Sequence, residues 1–378
     1  MIHFGNDYHR TAHPRVLDAI TGAGGAYAGY GTDELCAQAA ERIRTACQAP
    51  NAEVHFMVGG TQANATIIAY RLRPWEGVIA ADSGHIATHE TGAIERTGHK
   101  VITLPNQLGK ITAAQVRACV DEYRASGVEE HMPEPALVYI TQPTEFGTAY
   151  TRAELVALRE VCDEYELGLF VDGARLGYGL SASDITLSDL AALVDVFTIG
   201  GTKCGALFGE AIVFPAGAPR FRNAMKQQGG LLAKGWLLGA QFDALFSAPD
   251  DTSSVAHDEA EAPCAGAKPA GTSDKVASGT TEAAAAATLY EHICARANAQ
   301  AQRIAEAFRS AGIDMLFDSP TNQQFALLTR EQEEKLSQDF VCQFFEKHEG
   351  LRVVRFCTAW STEAGDVDKL CAAISALK

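Results

Sequence analysis

The chain has 378 residues, of which 47 % are hydrophobic, and its formal net charge is −16. The apolar residues suffice for a sizeable core, whereas the negative charge argues against a general binder of nucleic acid or anionic membranes, because phosphate surfaces attract basic proteins. No run of about 18 apolar residues could span a membrane, and the N-terminus lacks the basic start and apolar stretch of a signal peptide. The ten cysteines form no C-x-x-C pair, so we expect buried, reduced thiols in a cytoplasmic protein.

Short apolar runs alternate with helical patterns through the middle of the chain. The runs are nearly continuous, which is typical of strands covered on both faces, and they lie at residues 54–58, 78–81, 101–104, 136–140, 167–171 and 196–199. Between them, Thr112 and the capping box Thr151-Arg152-Ala153-Glu154 begin helical patterns. This alternation predicts an α/β domain with a mainly parallel sheet, in which ligands bind at the carboxyl ends of the strands.

The pattern changes after residue 210. A strand is predicted at 210–214, then a helix over 221–246 that is interrupted near Gly229-Gly230. Residues 248–287 contain no Leu, Ile, Phe, Met, Tyr or Trp, so this segment can bury little apolar surface and we expect a mobile insertion. A helix over 287–310, a strand at 324–328, a helix over 331–346, a strand at 351–356 and a helix from 366 are predicted next. We therefore expect an N-terminal arm and large domain over 1–247, the insertion over 248–287, and a small α+β domain over 288–378.

Three motifs at predicted strand ends carry groups suited to chemistry. Gly60, Thr61 and Gln62 would present N–H groups at a helix N-terminus, which is a generic phosphate cradle but also the form of an ordinary β–α turn. Asp172 ends a strand, where it could hold a protonated ring nitrogen, bind a metal, act as a base, or only cap a helix. Lys203 follows the next strand among glycines, where desolvation would favour a Schiff base, although most single lysines are solvated.

A fourth motif, around His85, has more than one interpretation. His85 and His89 follow the second predicted strand and would share one face of a helix, with Glu90 beside them. They could bind a metal, but the H-E-x-x-H motif is absent and no third ligand is evident. His85 could instead stack on a flat cofactor, or both histidines could simply be polar side chains at a helix start.

The order of these motifs resembles that of the fold-type-I pyridoxal-phosphate enzymes. The sequence is similar to the threonine aldolase and aromatic amino acid β-eliminating lyase family, in a divergent branch resembling low-specificity L-threonine aldolases. The resemblance covers about residues 4–213 and 290–378, and it rests on Asn6-Asp7, Tyr30-Gly31, Gly60-Thr61-Gln62-Ala63-Asn64, His85, Asp172-Gly173-Ala174-Arg175, Gly201-Thr202-Lys203 and Arg355. It implies the aspartate aminotransferase fold, with a mainly parallel seven-stranded sheet, helices on both faces and a small C-terminal α+β domain.

The resemblance also implies pyridoxal 5'-phosphate as the cofactor. Lys203 would carry it as a Schiff base, Asp172 would pair with its ring nitrogen, and His85 would stack on its ring. The residues implied to contact the cofactor are Lys203, Gly60, Thr61, Gln62, His85, Asp172, Arg175, Tyr30 and Lys234. Of these, Tyr30 and Lys234 would reach the phosphate of a neighbouring subunit, in a homodimer or homotetramer with shared active sites.

The implied substrate is an amino acid. Arg175 and Arg355 would hold its carboxylate in their planar guanidinium forks, and Asn6 could also touch it. The implied reaction is retro-aldol cleavage of the Cα–Cβ bond of a β-hydroxy-α-amino acid of the L-threonine or L-allo-threonine type, which yields glycine and an aldehyde.

One residue departs from the family pattern. Glu145 stands where the family usually has a histidine in an N-T-H-N-G context. Either this carboxylate or His85 would therefore act as the catalytic base, in addition to the catalytic Lys203. The departure keeps β-elimination on an amino acid open as an alternative. Two further classes also stay open: a metal-dependent hydrolase that uses the His85, His89, Glu90 and Asp172 side chains, and a binding protein that has kept the fold without catalysis.

Overall fold

The computed structural model describes residues 1–249 and 288–377. Residues 250–287, which are most of the predicted insertion, lie outside the described residues. The strands are β1 (Ile2–His3), β2 (Glu53–Met57), β3 (Glu76–Ala81), β4 (Val101–Leu104), β5 (Glu134–Thr141), β6 (Gly168–Asp172), β7 (Val196–Gly200), β8 (Glu210–Phe214), β9 (Gln323–Leu328), β10 (Phe340–Val341), β11 (Gln343–His348) and β12 (Leu351–Cys357). The helices are α1 (Pro14–Gly22), α2 (Glu34–Ala46), α3 (Gly60–Arg71), α4 (His85–Thr88), α5 (Ala113–Ala125), α6 (Arg152–Tyr165), α7 (Leu176–Leu180), α8 (Leu187–Leu193), α9 (Phe221–Gln227), α10 (Trp236–Leu245), α11 (Leu289–Ser310), α12 (Arg330–Leu336) and α13 (Ala364–Ser375).

Seven strands form the central sheet, in the order β2-β8-β7-β6-β5-β3-β4. The strands from β4 to β7 in this order are parallel, whereas β8 is antiparallel to both β7 and β2. Val138 and Ile140 of β5 enter one apolar core, and Leu137 and Tyr139 enter a second core on the opposite face. The predicted mainly parallel, seven-stranded sheet is confirmed, and its strands read as continuous apolar runs because both faces are covered.

One edge of this sheet collects the segments that carry the candidate site. The parallel strands β3, β5, β6 and β7 all end at this edge. Because β8 runs in the opposite direction, its first residue lies there instead of its last: Glu210 is in register with Gly200 of β7 and with Met57 of β2. This is the edge at which open α/β sheets bind their ligands.

A smaller antiparallel sheet, in the order β11-β12-β9, packs with α13 and the end of α11 around a third core. β1 pairs with β10, which brings Phe4 of the N-terminus into this third core. The long helix α11 contributes Cys294 to the core of the large sheet and Phe308 to the third core. The division of the chain at residues 247 and 288 stays a prediction.

The predicted helix over 331–346 is correct as far as Leu336 and wrong beyond it. α12 ends at Leu336, and the chain continues as the strands β10 and β11. β11 forms a hairpin with β12 through Glu349 and Gly350, whose φ angles are 47° and 85°. β11 is largely exposed, and its two apolar residues, Phe344 and Phe345, are adjacent and do not alternate with polar ones, so its strand conformation depends on pairing with β12 and not on a local pattern.

The cysteines of the described residues are free thiols, as the sequence predicts. Six of these nine thiols are buried. Within residues 1–249 and 288–377, none of the helices has the length and apolar character needed to cross a membrane.

Candidate active site

Lys203 lies in a tight loop that joins β7 to β8. Gly201 N donates to Gly209 O at 2.9 Å, and Ala206 N donates to Gly201 O at 3.0 Å. A Cβ atom on Gly201 would lie 2.9 Å from both Ala206 Cβ and the Gly209 carbonyl oxygen, so a larger residue would force the loop apart. Lys203 O accepts a hydrogen bond from Tyr178 OH at 2.7 Å, which fixes the backbone at the lysine itself.

The Lys203 side chain points into a desolvated, charged environment. Burial, followed by the charge of the Arg175 guanidinium, lowers the pKa of Lys203, while Asp7, Glu210 and Asp172 act in the opposite direction. Within the described part of the chain, Lys203 Nζ makes no hydrogen bond or ion pair. A lysine with a lowered pKa keeps more of its amine neutral and nucleophilic, so the structure supports a reactive amine here.

Asp172 is the last residue of β6 and is 3 % exposed. Its Oδ2 accepts hydrogen bonds from Asn64 Nδ2 at 2.8 Å and from Tyr139 OH at 2.6 Å, and its Oδ1 accepts one from Ala174 N at 2.9 Å. Burial, followed by the charge of Asp172, raises the pKa of Tyr139 well above its usual range, so this hydroxyl keeps its proton and donates. Three donors therefore hold the carboxylate in one orientation.

His85 is linked to Asp172 through two other side chains. His85 Nδ1 lies 2.8 Å from Glu90 Oε1, which also accepts a hydrogen bond from Asn64 Nδ2 at 2.8 Å. Since Asn64 also donates to Asp172, one hydrogen-bonded chain connects the imidazole to the carboxylate at the end of β6. The Glu90 side chain is buried, whereas that of His85 is 36 % exposed. The buried carboxylate therefore orients the imidazole ring, and the ring stays accessible.

The metal interpretation of this region gains no support from the geometry. The His89 ring contacts the His85 ring, with their centroids 5.7 Å apart. Glu90 contacts His85, but Asp172 does not join it there, because Asn64 lies between the two carboxylates. Across residues 1–249 and 288–377, no group of three or more His, Cys, Asp or Glu side chains is arranged to hold a metal ion.

Glu145 lies beside His85. Its Oε1 accepts a hydrogen bond from His85 N at 2.9 Å, and its Oε2 accepts one from Thr141 Oγ1 at 3.1 Å. Burial, together with the charge of Asp172, raises the pKa of Glu145. A carboxyl group with a raised pKa is suited to general acid–base work.

Arg175 forms a bidentate ion pair with Asp7, a residue whose role sequence reasoning missed. Arg175 Nε donates to Asp7 Oδ2 at 2.6 Å and Nη2 donates to Asp7 Oδ1 at 3.1 Å, while Asn322 Nδ2 donates to Asp7 Oδ2 at 2.9 Å. Burial alone would raise the pKa of Asp7, but the charge and hydrogen bonds of Arg175 lower it to about 2. The neighbouring Asn6 uses its side chain to accept a hydrogen bond from Tyr8 N at 3.1 Å. The contacts of Arg175 and Asn6 with a substrate stay predictions.

Arg355 reaches the site from the smaller sheet. Its Nη1 donates to Gln323 Oε1 at 2.9 Å and its Nη2 to Gly5 O at 3.3 Å, whereas its buried Nε has no partner within the described residues. Its charge helps to lower the pKa of His89, after burial and the charge of His85, which puts Arg355 on the histidine side of the site. A guanidinium with an unsatisfied buried donor is suited to bind a carboxylate.

The first turn of α3 presents unpaired N–H groups at the same sheet edge. Gly59 precedes the helix and no side chain caps it. A Cβ atom on Gly59 would meet no atom within 4 Å, so the helix start faces open space. The N–H groups of Gly60, Thr61 and Gln62 have no acceptor in the described residues, and such groups at a helix N-terminus suit a phosphate. The Gln62 side chain turns away and donates to Gln228 O at 3.0 Å.

Tyr30 and Lys234 lie next to each other on the surface. Tyr30 N donates to Ala233 O at 3.3 Å, and both side chains are exposed. In the described part of the chain, no hydrogen bond joins either residue to Lys203 or to the first turn of α3. Their contact with a neighbouring subunit stays a prediction.

Sequence reasoning also missed Glu210, which is buried at this edge. The motifs predicted from the sequence lie at the carboxyl ends of strands, whereas Glu210 begins a strand. A usable signal was present, since Glu210 is the single charged residue of the otherwise apolar strand β8.

Comparison with known proteins places the chain in a family. The beta-eliminating lyase family matches residues 14–352. A low-specificity L-threonine aldolase from a Pseudomonas species is 35 % identical over 223 residues, which cover 57 % of this chain and 63 % of that relative, a little under two thirds of its length.

Solved structures agree with this assignment. A threonine aldolase from Leishmania major is 38 % identical, with a TM-score of 0.86 over 100 % of this chain and 99 % of that chain. An aspartate aminotransferase from Thermus thermophilus is 14 % identical, with a TM-score of 0.67 over 100 % of this chain and 92 % of that chain, and this likeness shows the fold alone. The chain has the fold of the fold-type-I enzymes and belongs to the beta-eliminating lyase family.

Proposed function

We propose that this protein is a pyridoxal-phosphate-dependent lyase that cleaves the Cα–Cβ bond of a β-hydroxy-α-amino acid, of the L-threonine or L-allo-threonine type, to glycine and an aldehyde. The observation that carries the proposal is the desolvated, unpaired amine of Lys203 beside Asp172 and Arg175. Family membership and the 38 % identity to the L. major threonine aldolase support it.

The residues at the sheet edge fit pyridoxal phosphate in three ways. They provide an unpaired amine, a buried carboxylate held by three hydrogen bonds, and an uncapped helix N-terminus. Lys203 would bind the aldehyde carbon of the cofactor, Asp172 its ring nitrogen, and the N–H groups of residues 60–62 its phosphate, with His85 against the ring. The bound cofactor supplies a ring that withdraws the electron pair of the breaking bond.

The side chains of the protein would orient the substrate and handle its proton. Arg355, with its free Nε, and Arg175, aimed by Asp7, would hold the carboxylate, with Asn6 nearby. Fixing the carboxylate decides which bond at Cα is aligned to break. Glu145 or His85 would accept the proton of the β-hydroxyl group. If His85 does so, it would use its Nε2 atom, because its Nδ1 atom is engaged with Glu90.

We also infer a homodimer or homotetramer in which Tyr30 and Lys234 complete the phosphate site of a neighbouring subunit. The exposure of both side chains supports this inference. The free thiols of the described residues support the inferred cytoplasmic location.

The first experiment is an absorbance spectrum of the purified protein and of the Lys203→Ala variant, before and after addition of L-threonine. We expect a visible band that requires Lys203 and changes when the amino acid is added. The exposed Lys100 offers a matched control, and Lys100→Ala should keep the band. A wild-type protein that stays colourless when pyridoxal phosphate is supplied would overturn the proposal.

Product analysis separates the proposed cleavage from β-elimination. Glycine and acetaldehyde are expected from L-threonine, whereas β-elimination would release 2-oxobutanoate and ammonia. β-Elimination is tested because Glu145 lies beside His85, at the position where the family usually has a histidine. A carboxyl group there would change how the hydroxyl group of the substrate is protonated.

A further inference from the structure

Glu210 occupies an unusual place for a carboxyl group. It begins β8 between Gly200 and Met57, at the edge of the sheet that carries Lys203 and Asp172, and it is 4 % exposed. Neither of its carboxyl oxygens makes a hydrogen bond within residues 1–249 and 288–377, and Oε2 is fully buried. A buried polar group without a partner is costly, so a partner outside the chain is expected.

The direction of the carboxyl group indicates where that partner sits. A Cβ atom built on Gly60 would lie 4.0 Å from Glu210 Oε1. Gly60 is the first residue of α3, whose first-turn N–H groups also have no acceptor in the described residues. Two independent sets of unsatisfied polar groups, one from β8 and one from α3, therefore face the same space.

The charge state of Glu210 decides what it can bind. Burial, followed by the charge of Asp172, raises the pKa of Glu210 well above its usual range, and the opposing effect of Lys203 does not cancel this rise. The neutral carboxyl group offers one O–H donor. It therefore matches an anion that is rich in acceptor oxygens, as do the N–H groups of α3.

We infer that Glu210, as the neutral carboxylic acid, donates a hydrogen bond to the phosphate of the cofactor held at the N-terminus of α3. This inference rests on the proposed function, which supplies the phosphate. It assigns a phosphate contact to a carboxyl side chain in its neutral form. The ionised form of the same side chain would repel the phosphate. The strand direction of β8 is what brings that side chain to the site.

The test compares pyridoxal phosphate with pyridoxal, which lacks the phosphate, on full-length protein freed of cofactor. The ratio of the two dissociation constants, measured from the absorbance change on binding, reports the phosphate contacts alone. Glu210→Ala should reduce the preference for pyridoxal phosphate about tenfold or more, because a hydrogen bond to a charged group is lost. Glu210→Gln keeps an N–H donor and should stay within a few-fold of the wild type.

Glu76 provides a matched control. It is a buried glutamate that begins the parallel strand β3, and so lies at the opposite edge of the sheet. Glu76→Ala should leave the preference unchanged. The ³¹P resonance of bound pyridoxal phosphate gives a second readout, which should shift in Glu210→Ala and not in Glu76→Ala.

Three results would overturn the inference. Glu210→Ala could weaken pyridoxal and pyridoxal phosphate equally, which would indicate an effect on Lys203 or on the fold. The ³¹P resonance could be unchanged in Glu210→Ala. Glu210→Gln could bind pyridoxal phosphate at least tenfold more tightly than the wild type, which would indicate an ionised, repelling Glu210. If the wild type binds neither compound, the proposed function fails instead, so the two failures are distinguishable.

Discussion

Arg175 and Asp7 form a bidentate ion pair across 168 positions of sequence, with N–O distances of 2.6 and 3.1 Å. The pair ties the N-terminal arm to the loop that follows β6, and the Asp7 side chain is fully buried. The ion pair therefore connects the stability of the fold with the orientation of a guanidinium that we expect to bind substrate.

Replacing Asp7 by Asn should destabilise the protein in a pH-dependent way. The variant leaves the Arg175 charge buried without its partner, which should lower the free energy of unfolding by about 3 kcal/mol at pH 7. The folded-state pKa of Asp7 is about 2, below its ordinary value of about 4, so its stabilisation is present above pH 4 and is lost as the pH falls through 2. The difference in the free energy of unfolding between the wild type and the variant should therefore decrease as the pH falls from 4 to 2.

Urea unfolding across this pH range checks the Asp7 prediction. Asp318 is a matched control, since it also pairs with an arginine, Arg309, but its side chain is 89 % exposed. Asp318→Asn should change the unfolding midpoint little at any pH. Equal effects of the two variants would contradict the prediction.

Removing the hydroxyl group of Tyr139 should weaken the support of Asp172. Tyr139→Phe deletes the 2.6 Å hydrogen bond to Asp172 Oδ2, a bond to a charged acceptor, and should lower the free energy of unfolding by about 2 kcal/mol. We also expect faster release of the cofactor, measured by dialysis and absorbance. Tyr165 donates to Asp121 at the same distance of 2.6 Å on the surface, so Tyr165→Phe should change neither quantity. The prediction fails if the two variants release cofactor at the same rate.

Glu145 should determine the acidic limb of the pH–rate profile. Because its pKa is raised, a base at this position is protonated and inactive at low pH, and kcat should rise with pH as Glu145 ionises. Glu145→Gln should lose this limb and lower kcat about a hundredfold. Glu331 on α12 is exposed, and Glu331→Gln should keep the wild-type profile. A Glu145→Gln enzyme with an unchanged profile would point to His85 as the base.

Arg355 should act on substrate affinity. Arg355→Gln removes charge-assisted hydrogen bonds to the carboxylate and should raise KM for L-threonine about tenfold to a hundredfold, with the spectrum of the bound cofactor unchanged. Arg352 lies on the same strand but pairs with Glu333, so Arg352→Gln should affect stability and not KM. Steady-state kinetics of both variants measure KM for L-threonine. An unchanged KM in Arg355→Gln would show that this residue does not bind the substrate.

The sequence was most informative where an apolar run is followed by a polar residue. The run at 196–199 corresponds to β7, the run at 167–171 to β6 shifted by one residue, and Lys203 and Asp172 follow at the sheet edge as expected. It was least informative for β11, whose residues show no alternation of apolar and polar side chains. Asn64 and Tyr139 were likewise not recognised as partners of Asp172, since they belong to α3 and β5.

The sequence by itself determined which segments form the strands of the large sheet and the order of the motifs at their ends, because these features depend on local hydrophobic pattern and chain direction. Only the tertiary structure decided that β8 runs antiparallel to β7, and hence that Glu210 faces the first turn of α3. It also decided that Asp7 holds Arg175. The physical reason is the same in both cases. The contacts join residues that are far apart in sequence, and burial strengthens the charges and hydrogen bonds between them, so a local sequence pattern cannot predict them.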